Sequence, residues 1–150
     1  MGLLGSRRGI QIIAGSTAVL LLTAVGCKGP IELTLSGQQD LNGGNSATDV
    51  VYQLTSNATF LRTPADVFWV NDDQVLAGEL VGAKQTVVLF PGESEEVEVK
   101  LNRGSRFLGV AANLRNPDPQ HWKAVYAADE VKGKRMSVSV GHDRLFVQLN

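Results

Sequence analysis

Apolar and polar residues alternate repeatedly after residue 30, and this alternation limits the chain more than any other feature of its sequence. The pattern runs through residues 31–36, 96–101 and 135–140. Successive side chains of a β-strand point to opposite faces, so a strand with this pattern buries only one of them. We therefore expect each of these segments to be a half-buried strand.

Further short runs of β-branched and aromatic residues are separated by Gly, Pro, Asn and Asp, which favour turns. Pro91-Gly92 and Gly141-His142-Asp143 have the composition of hairpin turns. About eight strands result, and the natural arrangement for them is an antiparallel two-sheet β-sandwich. The additional runs cover residues 50–54, 85–90, 107–112, 123–127 and 145–149.

One segment departs from the alternation and predicts a short helix. Thr63, Pro64 and Asp66 place a capping hydroxyl, a proline and an acid just before an apolar run. We expect this helix to end near residues 71–73 and a second helical turn to follow over residues 74–77. The mainly β domain would thus carry a short helical insertion between strands two and three.

The amino-terminal segment has the form of a lipoprotein signal peptide. Two arginines precede an apolar run from Gly9 to Gly26, which closes on small residues before Cys27, the single cysteine of the chain. This junction resembles a bacterial lipobox, although Ala24 stands where leucine is usual. We expect residues 1–26 to be removed and Cys27 to carry a covalent lipid. A transmembrane anchor is the alternative, but the run is diluted by polar residues and is short for a span of about 20 residues.

Removal of residues 1–26 leaves residues 27–150, which is a suitable length for one domain. The removed part holds two of the 14 basic residues and no acid, so 12 basic residues face 15 acidic ones, a net charge of −3. This balance does not favour nucleic acid as a partner. Lys28 follows the lipidated cysteine, where aspartate marks proteins retained at the inner membrane; by resemblance to that sorting rule we expect an outer-membrane lipoprotein facing the periplasm.

Candidate catalytic and metal-binding residues are few. His121 and His142 are the only histidines, they lie in separate turns, and neither has the neighbours that a zinc site needs. The acids at 66, 72 and 73 are typical of helix caps, and those at 95, 96 and 98 of a solvated strand face. We therefore expect no enzymatic activity, no metal and no cofactor apart from the covalent lipid.

One succession of residues extends over most of the chain: Cys27, the run 50–54, Phe60, the run 65–68, Leu76, Pro91-Gly92, the run 108–111, Arg115 and Trp122-Lys123. This succession resembles the TssJ (SciN, VasD) family of type VI secretion outer-membrane lipoproteins. The resemblance implies a transthyretin-like β-sandwich without enzymatic activity. It also implies an anchoring role, in which the lipoprotein binds the periplasmic C-terminal region of TssM within a TssJ–TssL–TssM membrane complex.

The loop after the first strand is the candidate partner-binding site. A strand from Ile31 to about Asp40 would be roughly 33 Å long, so it would carry the loop to the end of the domain opposite the lipid. In the family the loop between the first two strands contacts TssM. A tight hairpin turn at Asn42-Gly43 is the alternative. The candidate residues are Leu41, Asn42, Gly43, Gly44, Asn45, Ser46, Ala47 and Thr48.

A second interpretation keeps the lipid anchor and changes the partner. Exposed aromatic side chains could bind a small ligand or a glycan, although tryptophans in a sandwich more often belong to the core. The candidates are Trp69, Trp122, Tyr126 and Phe146.

Overall fold

The computed structural model describes residues 29–150 and contains two four-stranded sheets packed face to face. The predicted signal peptide, Cys27 and Lys28 lie outside the described residues. The strands are β1 (Ile31–Gly37), β2 (Ala47–Leu54), β3 (Gln85–Leu89), β4 (Ser94–Val99), β5 (Phe107–Asn113), β6 (Lys123–Ala127), β7 (Arg135–Val140) and β8 (Leu145–Leu149). The helices are α1 (Ala58–Arg62), α2 (Ala65–Phe68), α3 (Asp72–Val75) and α4 (Ala128–Val131).

The strand order is β4-β1-β7-β8 in sheet A and β3-β2-β5-β6 in sheet B. This confirms the two-sheet sandwich and its eight strands. The sheets are antiparallel apart from one pair, because β1 runs parallel to β7. Within residues 29–150, no helix has the length and apolar character needed to cross a bilayer.

The first strand is shorter than predicted. It ends at Gly37, so it spans about 23 Å, and the chain then turns through a short 3-10 helix at Leu41–Gly43. The predicted hairpin at Pro91-Gly92 is also wrong, and the alternative of a tight hairpin at Asn42-Gly43 is excluded. β1 and β2 lie in different sheets, as do β3 and β4, so the Asn42-Gly43 and Pro91-Gly92 turns connect sheets about 10 Å apart. The turn at residues 141–143 does join the antiparallel pair β7 and β8, as predicted.

The inter-sheet core is aliphatic. Alternate residues of β1 and β7 point into it, which is why those strands read as apolar and polar in turn. Its buried members are Ile31, Leu33, Leu35, Leu41, Ala47, Val51, Leu89, Val99, Leu108, Val110, Ala112, Leu114, Val131, Met136, Val138, Val140 and Leu145.

A second core lies on the outer face of sheet B, where helices α1–α3 cover it. Because both faces of β2 are covered, seven of its eight residues are buried and its sequence lacks polar alternation. The helical insertion between β2 and β3 is thereby confirmed. The buried members of this core are Val50, Tyr52, Leu54, Phe60, Phe68, Leu76, Ala111 and Trp122.

The insertion contains three short helices, and its first helix begins earlier than predicted. Thr63 does not cap the start of α2. It is the C-cap residue of α1, where its hydroxyl donates to the Thr59 carbonyl at 2.8 Å. Pro64 precedes α2 in an extended conformation. The predicted cap residues at 63–66 therefore mark a break between two helices, which allows both to follow the curved surface of the sheet.

Candidate functional site

The loop between β1 and β2 lies at the end of the sandwich opposite Gly29-Pro30, where the described chain begins. β1 enters at that first end with Ile31 and leaves at Gly37 beside the β3–β4 turn, where the Gly37 amide donates to the Glu93 carbonyl at 2.8 Å. The β5–β6 and β7–β8 connections reach the same end. We call the end that holds these four connections the distal end, and the end at Gly29-Pro30 the tether end.

Two residues fix the β1–β2 loop to the body of the protein. The Leu41 side chain is fully buried in the inter-sheet core. Asn42 is also buried: its side-chain oxygen accepts from the Arg115 amide at 2.8 Å, and its side-chain nitrogen donates to the Ser46 carbonyl at 2.7 Å. The side chains of Leu41 and Asn42 thus stabilise the loop from inside, and they are unavailable as surface contacts.

Four exposed residues form the tip of the loop, and we call them the loop tip: Gly43, Gly44, Asn45 and Ser46. The chain reaches this shape through left-handed backbone angles at three consecutive positions, with φ of 46° at Asn42, 67° at Gly43 and 84° at Gly44. Glycine adopts such angles without strain. The Asn45 side chain donates to the Asn42 and Gly43 carbonyls at 3.1 and 3.3 Å, which closes the tip on itself.

The last two candidate residues of the loop belong to a strand instead. Ala47 opens β2 and is buried in the inter-sheet core, while Thr48 is partly buried and pairs with Asn113 across the sheet. Of the eight residues predicted to contact a partner, four are therefore exposed at the tip, and Leu41, Asn42 and Ala47 support it from within.

Neighbouring connections extend the surface around the loop tip. A small cleft of about 90 Å³ separates the tip from the β5–β6 loop. Arg115, Asn116 and His142 are not among the site residues predicted from the sequence. The one sequence signal that they share is a position in a turn. The cleft is lined by Asn42, Gly43, Asn45, Arg115, Asn116 and His142.

The distal connections are also joined to each other. Asp118 accepts from Arg144 at 3.0 Å and from the His121 ring at 2.8 Å, and its amide donates to the Asp143 carbonyl at 2.8 Å. The bond from the Gln120 amide and the contact with His121 lower the pKa of Asp118 below its ordinary value. These bonds join the β5–β6 loop to the β7–β8 turn, and the bond between the Arg115 amide and Asn42 joins the β1–β2 loop to the same surface.

The four aromatic candidates do not form one site. Trp122 is fully buried and Trp69 packs on it with ring centroids 5.8 Å apart, both in the second core. Tyr126 packs against the inter-sheet core, and Phe146 is half exposed on the edge strand β8. These side chains therefore give no common surface for a sugar or a small ligand. Residues 29–150 also contain no group of three or more side chains placed to bind a metal ion.

Comparison with known proteins identifies relatives of this arrangement. A family profile described as "Type VI secretion lipoprotein, VasD, EvfM, TssJ" matches residues 30–143. Comparison with curated protein sequences gives no significant match.

Solved structures share the fold over most of their length. A chain of a "Type VI membrane complex" is 26% identical with a TM-score of 0.72, covering 80% of this chain and 98% of that one. The T6SS lipoprotein TssJ1 from Pseudomonas aeruginosa is 22% identical with a TM-score of 0.71, covering 82% and 97%. A chain in the structure of the T6SS protein TssM C-terminal domain from EAEC is 23% identical with a TM-score of 0.69, covering 80% and 98%. Since the profile spans most of the chain, this protein belongs to the type VI secretion lipoprotein family.

Proposed function

We propose that this protein is a non-enzymatic outer-membrane lipoprotein that anchors a type VI secretion membrane complex. In this proposal the covalent lipid on Cys27 holds the protein to the membrane, with Lys28 directing it to the outer membrane and the domain facing the periplasm. The distal end binds the periplasmic C-terminal region of TssM, within a complex that also contains TssL. Family membership supports the general role.

One observation carries the assignment of the binding surface: the exposed loop tip is held in a fixed shape at the end opposite the tether. Buried Leu41 and Asn42 fix its base, and left-handed glycines fix its turn. A surface already ordered before binding loses little conformational entropy when a partner docks. The Gly43, Gly44 and Asn45 amides already donate within the loop. The exposed Ser46 side chain, together with Arg115 and His142 beside the tip, therefore offers hydrogen bonds to another protein chain.

The two tasks occupy separate ends of one domain. Cys27 lies four residues before Ile31, so the lipid is within about 14 Å of the first strand. Two or three acyl chains, at about 0.8 kcal/mol for each buried methylene group, hold a protein on a bilayer almost irreversibly. Substitution of Cys27 by Ser should therefore release the protein from membranes without altering its affinity for the partner.

The decisive experiment is a calorimetric titration of the soluble domain with the periplasmic C-terminal region of TssM from the same organism. We expect saturable one-to-one binding that Ser46→Arg weakens at least tenfold, or about 1.4 kcal/mol, because the new side chain obstructs the loop tip. The Ser46 carbonyl keeps its bond to Asn42 in this variant. Arg115→Ala should weaken binding less, because it removes one contact at the border of the cleft.

The matched control is Gln148→Arg, which adds the same side chain at an exposed position of β8. Circular dichroism should show all variants folded. If the wild-type domain is folded and does not bind, the proposed function is wrong; if Ser46→Arg and Gln148→Arg bind equally well, the loop tip is not the contact surface.

A further inference from the structure

The tether end carries a concentration of positive charge that the proposed function does not use. The segments 100–106 and 128–135 contain six exposed cations and two acids, Asp129 and Glu130, for a net charge of +4. The four distal connections (38–46, 90–93, 114–122 and 141–144) contain two cations and four acids, for a net charge of −2 with neutral histidines. The cations of the tether end are Lys100, Arg103, Arg106, Lys132, Lys134 and Arg135.

Ion pairs neutralise only part of this charge. Arg135 contacts Glu32 at 2.6 Å and Lys100 contacts Glu98 at 3.5 Å, both on exposed strand positions. Among the described residues these are the ion pairs that involve the six cations. The other four cations project from loops into solvent, where an external anion can reach them.

The two basic loops form one ordered surface. The buried Gln53 side chain donates to the Lys100 carbonyl at 2.9 Å and accepts from the Asn102 amide at 2.7 Å, which holds the 100–106 loop. The Ala128 amide donates to the Arg106 carbonyl at 2.8 Å and so joins the second loop to the first. Gly104 and Gly133 turn the two loops with φ of 92° and 70°. The backbone positions that carry these cations are therefore fixed before any ligand arrives.

The point where the chain enters the domain lies within this surface. Gly29 and Pro30 line a shallow groove of about 240 Å³ together with Lys100, Leu101 and Lys132. Ile31, the first strand residue, is only four residues from Cys27. A reach of at most about 14 Å is less than twice the Debye length of about 8 Å at physiological salt, so a lipid on Cys27 would keep these cations within the field of the bilayer surface.

We propose that the tether end is a docking surface for anionic phospholipid headgroups in the leaflet that holds the lipid anchor. Charge complementarity and the position of the chain entry both select a bilayer as the occupant. The contact sets the domain upright on the membrane, so that the distal end points away from it toward the partner. This inference rests on the proposed lipid anchor and adds a second, electrostatic contact to it.

The test uses the mature lipidated protein reconstituted in two kinds of vesicle: zwitterionic phosphatidylcholine alone, and phosphatidylcholine with anionic phosphatidylglycerol. Hydrogen–deuterium exchange is measured over residues 100–106 and 128–135. We expect the phosphatidylglycerol vesicles to slow exchange in both segments and high salt to reverse the effect, since the attraction is screened. Equal exchange in the two kinds of vesicle would overturn the proposal.

A matched pair of charge reversals locates the surface. Arg103→Glu, in a basic loop, should reduce the protection several-fold, because each cation near an anionic surface contributes separately. Arg62→Glu changes charge equally on the exposed surface of the helical insertion and should leave the protection unchanged. Equal effects of the two substitutions would show that net charge, and not the tether end, determines the contact.

Flotation of the same vesicles separates this inference from the proposed function. A lipidated protein floats with both kinds of vesicle; if it floats with both and shows no effect of phosphatidylglycerol, the docking surface is wrong and the anchor stands. A protein that floats only with phosphatidylglycerol vesicles would contradict the anchor and support the docking surface.

Discussion

The two hydrophobic cores on either side of sheet B are built from different side chains. The inter-sheet core consists of aliphatic residues supplied by strands from both sheets. The second core is largely aromatic: Tyr52, Phe60, Phe68 and Trp122 meet edge to face, with ring centroids 5.2–5.8 Å apart in the contacting pairs. Helices of four or five residues cannot be stable alone, so large rings that each bury much area hold them against the sheet.

The two cores also differ in how their charged side chains are paired. In the second core the Tyr52 hydroxyl donates to Asp72 at 2.6 Å, and Lys84 contacts Asp72 at 2.7 Å and Asp73 at 2.9 Å. Burial opposes the ionisation of Asp72, but the bonds from Lys84 and Tyr52 outweigh it and lower its pKa. These bonds link β2 to α3 and to the segment before β3.

Lys123 on β6 binds the insertion at the end of α1. Its ammonium group donates to the Phe60 carbonyl and, at 2.6 Å, to the Thr63 carbonyl, and it lies 4.4 Å from the Trp122 ring centroid. Burial lowers the pKa of Lys123 to about 8. The group is therefore still mostly charged at neutral pH and satisfies carbonyls at the end of α1.

The inter-sheet core contains a polar group without such partners. Asp49 on β2 is fully buried, and neither carboxylate oxygen has a hydrogen-bond partner. Burial raises its pKa to about 7. The second core also contains one unpartnered polar atom, the indole nitrogen of Trp69, but its charged groups are all paired. The helical insertion therefore depends on charged contacts, whereas the sandwich tolerates an unpartnered acid because strand pairing and aliphatic packing stabilise it.

The largest expected effect is the loss of an aromatic ring from the second core. Phe68→Ala should lower the free energy of unfolding by about 3–5 kcal/mol, because Phe68 contacts Tyr52, Phe60 and Trp122. Hydrogen exchange should accelerate first over residues 58–76, since the helices lose their anchor. The control Leu35→Ala, in the inter-sheet core, should accelerate exchange in both sheets; the same exchange pattern in both variants would show that the cores do not behave separately.

Removal of the buried carboxylate should produce the next largest effect. Burial raises the pKa of Asp49 in the folded protein to about 7 from its ordinary value of 3.8, so between these pH values the folded protein keeps a proton that the unfolded chain has lost. The contribution of Asp49 to stability therefore falls as pH rises through this window and is lowest above pH 7. Asp49→Asn should remove this dependence and raise stability by a few kcal/mol at pH 8.

Urea unfolding of the wild type and of Asp49→Asn at pH 4, 6 and 8 measures how the free energy of unfolding depends on pH in each protein. Asp66→Asn, at an exposed position on α2, is the matched control and should leave the pH dependence unchanged. An equal loss of stability in Asp49→Asn at all three pH values would contradict this explanation, because it would mean that the buried carboxylate has a stabilising partner.

The smallest expected effect is the loss of one hydrogen bond in the second core. Tyr52→Phe should cost about 1 kcal/mol, because Asp72 keeps its contact with Lys84 at 2.7 Å. The pKa of Asp72, followed by NMR, should rise in this variant because one of the bonds that lower it is gone. The control Tyr126→Phe changes a tyrosine outside this network. If it loses as much stability as Tyr52→Phe, the loss does not come from the hydrogen bond between Tyr52 and Asp72.

Much of the secondary structure was predictable because alternation is a local property. The segments 107–112, 123–127 and 135–140 became strands within one residue of the predicted limits. The boundaries of β1 and of the insertion were wrong. Thr63 and Pro64 have the composition of a helix start, but in the folded protein they separate α1 from α2.

The candidate site was predictable only in part. The glycines and asparagines of residues 42–45 indicated an exposed turn, and the loop tip is indeed exposed. Their composition did not show that Leu41 enters the core, that Asn42 binds the Arg115 amide, or that His142 lies beside Gly43. Those contacts join residues far apart in the chain.

The approximate positions of the strands, their apolar faces and the helical interruption could be predicted, because they follow from side-chain direction and local backbone preference. The parallel pairing of β1 with β7, the burial of Asp49 without a partner and the separation of charge between the two ends became visible only in the folded protein. Strand pairing and burial depend on contacts between distant segments, and a local pattern carries no record of which segments meet.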